Sequence, residues 1–96
     1  MGRKPQRRTF RRPSPQQRNE DIAREQQRLD SAAQSLVATT TTEELRAVLQ
    51  EREWLLTEAD RAAQLDPNPA NLSRYRYART QYNVARAALE LADRAS

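Results

Sequence analysis

Seven cations, Arg3, Lys4, Arg7, Arg8, Arg11, Arg12 and Arg18, fall within the first eighteen residues, with no acidic residue among them. The guanidinium group is a planar fork that binds phosphate bidentately and keeps its charge at any physiological pH. Seven cations on so short a segment can neutralise several phosphates, giving an affinity that ignores sequence and falls steeply with salt. Pro5, Pro13 and Pro15 fix φ and remove backbone donors. They keep the segment slim, the form in which arginine-rich arms enter a DNA minor groove. Phe10, set among the arginines, is placed to stack on a base. Arg76, Arg79 and Arg86, with Asn83 and Arg94, share one polar wedge of a C-terminal helical segment and are a candidate second phosphate-contacting face. The competing expectation is that they pair with Glu90, Asp93, Glu51, Glu58 or Asp60.

Other chemistry is scarce. The chain has no histidine, no cysteine and one glycine. That removes the commonest general base, the usual nucleophile pairs, the zinc and haem ligand sets, and a Gly-rich phosphate loop. Glu51, Glu53, Glu58 and Asp60 form the one acidic stretch, but nothing in their neighbourhood would bury them or shift their titration. They read as a solvated helix face without calcium-loop spacing. The expectation is therefore a binding protein and not an enzyme, with no cofactor, no metal and no small-molecule substrate.

The charge divides the chain into two parts. Residues 19–96 hold ten arginines against thirteen acids, so a strongly basic leader precedes a mildly acidic body. Blocks of like charge resist compaction and act as interaction tails, so residues 1–13 are expected to form an extended or disordered arm. No stretch approaches the length of a membrane-spanning apolar helix. Arg7-Arg8-Thr9-Phe10 has the twin-arginine pair of an export signal but lacks the apolar run that should follow it. A cytoplasmic or nucleoid-associated location is expected, or a place inside a virion.

The body, residues 14–96, reads as helix throughout. Leu, Ile, Val and Phe together number only fifteen of 96 residues, but fifteen alanines favour helix and permit close helix packing. Ser14 and Pro15 signal a start, and Ile22, Leu29, Ala33 and Leu36 form a narrow stripe up to the threonine run at 39–42. An (i, i+4) pair Glu20→Arg24 is expected on it. Thr41 with Glu44 makes a capping box for a second helix, whose broad stripe of Leu45, Val48, Leu49, Leu55, Leu56, Ala59, Ala62 and Ala63 is interrupted only by Arg52. Asp66-Pro67-Asn68-Pro69 ends it, with Asn68 and Pro69 opening the third.

The third helix has a seam of Tyr75, Ala78, Tyr82, Ala85, Leu89 and Ala92 and, nearly opposite, a second stripe of Tyr77, Val84, Leu91 and Ala95. Such a helix is central in its bundle or shared between subunits. The fold class is therefore all-α: an antiparallel three-helix bundle, or a long helical hairpin plus one helix, behind a basic arm. Helices are expected at about 15–38, 42–65 and 69–94. Trp54, Leu65, Tyr77, Val84 and Leu91 are candidate interface residues, with Trp54 equally placed to cover the first helix within the monomer.

These features point to a nucleic-acid-associated protein, DNA ahead of RNA, whose helical body self-associates or docks on a helical partner. The alternatives are a structural component of a phage particle or packaging machine, and a ribosome- or RNA-associated protein. Met1-Gly2-Arg3-Lys4-Pro5 and Leu56-Thr57-Glu58-Ala59-Asp60-Arg61-Ala62 resemble stretches of phage terminase small subunits. Ala62-Ala63-Gln64-Leu65-Asp66-Pro67-Asn68 resembles the junction between tetratricopeptide repeats, without the repeat period. None of these stretches is a functional motif, and no residue role follows from them.

Overall fold

A computed structural model describes residues 14–95 as three helices: α1 (Pro15–Thr39), α2 (Thr42–Leu65) and α3 (Pro69–Ala95). The arm expected at residues 1–13 lies outside the described residues. The fold is the expected all-α three-helix bundle, and local side-chain chemistry sets its boundaries. The Ser14 hydroxyl accepts from the Gln17 backbone N–H at 3.1 Å, with Pro15 at the first helical position. At the other end the Thr39 hydroxyl donates to the Ser35 carbonyl at 3.2 Å, and Thr40 turns extended, so the threonine run closes α1. Thr41 and Glu44 exchange bonds of 3.1 and 3.0 Å in a complete capping box. The bond from the Thr41 backbone N–H, with that of its hydroxyl, holds the Glu44 carboxyl below its ordinary value.

The link between α2 and α3 is tied by asparagines. Asn68 Oδ1 accepts from the Asn71 backbone N–H at 2.8 Å. Asn71 Nδ2 in turn donates to the carbonyls of Asp66 at 2.8 Å and Ala62 at 3.3 Å, two acceptors at the C-terminal end of α2. One expected pair is not formed: Arg24 bonds Asp21 at 3.2 Å, one turn back on its own helix, in place of Glu20. Both spacings bring side chains together on a helix surface, and the shorter Asp21 chain wins.

Packing makes α3 the shared member, since it touches both α1 and α2 while those two meet only marginally. Its two stripes are therefore both used, though not along their whole lengths. The core is thin. Among the described residues Ala33, Leu45, Ala59, Ala63, Ala85 and Ala88 are the buried apolar ones, and Leu45 is the only large one that is fully buried. Ala33, Leu45 and Ala88 cluster where the upper ends of all three helices meet, with Leu36, Leu89 and Leu91 packed around them. Alanine at these points lets helix backbones approach closely but removes little apolar surface per residue from water.

Arg52, the one charge on the α2 stripe, is half-buried and donates from Nη1 to the Gln81 carbonyl of α3 at 2.8 Å. It thereby becomes a cross-helix tie. The stripe on α1 works only in its second half: Leu29, Ala33, Leu36 and Val37 pack, whereas residues 14–28 are all exposed, Ile22 at 57%.

Candidate nucleic-acid and partner interfaces

Of the seven leading cations, Arg3, Lys4, Arg7, Arg8, Arg11 and Arg12 lie outside the described residues. Arg18 stands exposed near the start of α1, with no ion-pair partner among the described residues. Ser14, the first described residue, heads a helical stretch that contributes nothing to the core.

Because the front of α1 diverges from α3, an open cleft of about 810 Å³ lies between them. Its walls carry Arg28 from α1 and Arg79, Asn83 and Arg86 from α3, opposed by Glu25 and Glu90. The expected polar wedge is thus partly assembled here, while Arg76 lies outside the cleft. Neutralisation by neighbouring acids is partial. Arg86 meets Glu90 at 3.8 Å, both well exposed, an ion pair of little energetic weight. Arg79 sits over the Tyr75 ring, 5.7 Å from its centroid, and Asp93 reaches across to Arg46 of α2 at 3.8 Å. Arg76 and Arg94 have no ion-pair partner among the described residues.

The expected interface residues divide. Leu91 packs on the core cluster and Val84 is half-buried in the wall of the α1–α3 cleft, so this part of the second stripe is taken up by α1 inside one chain. Trp54 does not cover α1. It is 62% exposed and lines a groove of about 480 Å³ between α2 and α3 with Leu55, Ala59, Tyr77 and Ala78. Tyr77 is 68% exposed, and Leu65, near the end of α2, is 80% exposed. Arg52 and Gln81 border both this groove and a smaller hollow under the C-terminal half of α1. The two openings lie on one face of the hairpin: α1 covers its upper half and leaves Trp54 and Tyr77 bare below.

Among the described residues no cluster of three or more carboxylates could hold a metal ion, and no helix is long and apolar enough to cross a membrane. No protein-family model, curated protein or solved structure matches this chain. Reading the sequence did not find two working residues, Asn71 and the carbonyl partner of Arg52. Asn71 carried the available signal, an Asn three residues after the Asn68 cap.

Proposed function

We propose that the protein binds nucleic acid without enzymatic action, through sequence-independent phosphate contacts made by its arginine-rich N-terminal segment. The observation that carries this reading is the charge partition: seven cations and no acid in residues 1–18, against a net negative remainder. The exposed first half of α1 supports it, because it offers a point of attachment set apart from the core. Arg79 and Arg86 in the α1–α3 cleft, with Arg76, which has no ion-pair partner among the described residues, form a secondary phosphate face. Duplex DNA suits the slim, proline-spaced arm. Association of the body with a second copy or with a helical partner, as in a phage head or packaging machine, presents several arms at once and raises avidity without new contacts.

The test is binding to unrelated duplexes across a salt series, by the full chain and by a chain lacking residues 1–13. Each neutralised phosphate contributes about 0.9 to the slope of log K against log salt. Removing the six cations of that segment should flatten the slope by up to about 5 and bring affinities for all sequences down together. Unchanged affinity and slope would reject the arm as the contact.

A further inference from the structure

Two aromatic rings face one groove from opposite helices. Arg52 bonds Gln81, Asn71 bonds Ala62, and Leu45 clusters with Ala88, three pairs that share one antiparallel register of α2 and α3. That register sets Trp54 level with residue 79, so Tyr77 lies only about 3 Å further along the axis. Both rings are largely exposed beside Leu55, Ala59 and Ala78. Their own helical neighbours are polar. Three and four residues from Trp54 stand Gln50, Glu51, Thr57 and Glu58, and the same positions about Tyr77 hold Ser73, Arg74, Thr80 and Gln81. Neither ring therefore belongs to the continuous apolar stripe that a docking helix needs. Flat π surfaces with polar groups around them match an unpaired base, which has an apolar face and a hydrogen-bonding rim.

The charge of the walls favours the same ligand. Arg52 and Arg74 line the groove against one carboxylate, Glu58, which already stands beside Arg61 at 3.6 Å. Glu51 and Glu53 lie outside the lining. Arg52 keeps its charge while donating to the Gln81 carbonyl. Arg74 is exposed, with no ion-pair partner among the described residues. Exposed rings beside a cationic wall are the combination by which proteins hold single strands. The volume, about 480 Å³, lies within the range of about 300–1,000 Å³ typical of small-ligand sites, so a nucleotide fits. We propose that this groove binds unpaired nucleobases of a single strand, with Trp54 and Tyr77 stacking on them and Arg74 meeting the adjoining phosphate. A duplex is not a ligand here, because its bases are held inside its own stack. An acidic peptide is a poorer occupant, since it has charge for Arg74 but no flat face for the rings. The site extends the nucleic-acid reading but stands on residues separate from the arm, so either can fail alone.

Trp54 is the only tryptophan in the chain, so its emission reports this groove directly. The full chain is titrated with oligothymidylate of about eight nucleotides, and with oligouridylate, an abasic phosphodiester and a duplex of the same length. One or both of the base-bearing strands should quench Trp54 saturably, their ratio giving the preferred sugar, while the abasic strand and the duplex should not. Tyr77→Ala should weaken binding of the quenching strand about 5- to 150-fold, the loss of one base–aromatic stack. Helix ellipticity should stay unchanged, because the ring is exposed, and Tyr77→Phe should bind as the parent does. Arg74→Gln should lower the slope of log K against log salt by about 0.7, the share of one single-strand phosphate. A full-length variant with its six cations in residues 1–13 replaced by glutamine should keep the quenching at saturating strand. Equal quenching by the abasic strand, a comparison that needs no variant, would overturn the inference. So would unaltered affinity in Tyr77→Ala, or a loss of quenching in the cation-free variant. Trp54 shielding that rises with protein concentration alone would assign the groove to a second copy, with the same result. If the strands quench as expected while duplex binding is absent, the groove stands and the arm's duplex contact falls.

Discussion

Leu45 and Ile22 both lie on helical stripes, yet only Leu45 is fully buried while Ile22 is 57% exposed. Replacing each by alanine therefore separates periodicity from packing. A buried Leu→Ala change costs about 2–5 kcal/mol, from lost transfer energy and from the cavity that remains. Leu45 has Ala33 and Ala88 as neighbours, and neither can expand to fill the space, so a cost of about 3 kcal/mol is expected. A chain of this size has a total stability of about 5–14 kcal/mol, so the loss is a large fraction of it. Each kcal/mol moves the midpoint of a domain this small by about 4–8 °C, so Leu45→Ala should lower it by about 12–24 °C. Ile22→Ala removes almost no packing and places a better helix former on an exposed face, so it should be neutral or stabilising by a few tenths of a kcal/mol. Helix ellipticity followed through urea and thermal unfolding, at one fixed protein concentration, measures both. A loss below about 1 kcal/mol at Leu45, or an equal loss at the two sites, would refute the account of where the core lies.

The caps give two further predictions. Asn71→Ala should destabilise the chain by about 1–2 kcal/mol and raise amide exchange at the end of α2, because the Ala62 and Asp66 carbonyls lose their side-chain donor; exchange unchanged at 62–66 would count against the tie. Glu44 has a lowered titration point in the folded state, so its stabilisation is complete above its ordinary value of 4.5 and is lost as pH falls through the lower folded value. The thermal midpoint of the parent should accordingly exceed that of Glu44→Gln at pH 7, the gap closing in acid. A gap independent of pH would mean that the carboxylate charge is not what the cap uses.

Helix boundaries could be read from the sequence because they depend on contacts three or four residues apart. Ser14, Thr41 and Asn68 each cap a backbone N–H three residues on, and each helix begins within a residue of its cap. The centrality of α3 was also legible, in its two apolar stripes. Which parts of those stripes are covered was not. That depends on the angle at which α1 crosses α3, a result of alanine contacts at Ala33 and Ala88 that periodicity does not encode. The same angle takes Leu91 into the core, holds Val84 on the cleft wall, and leaves Tyr77 bare. Trp54 and Tyr77 share a groove because antiparallel register sets residues 52 and 81 level, as the Arg52–Gln81 bond fixes. Sequence alone leaves that register free to slide.

The front of α1 has a mechanical consequence. Residues 15–28 are held helical by a cap and by local pairs such as Asp21–Arg24, and isolated helices of about this length are marginal in water. Coiled, those fourteen residues span about 21 Å; paid out as extended chain, they span about 46–50 Å. Unwinding them breaks no part of the core. The leash on the leading cations can thus more than double in length while the rest of the molecule keeps its shape.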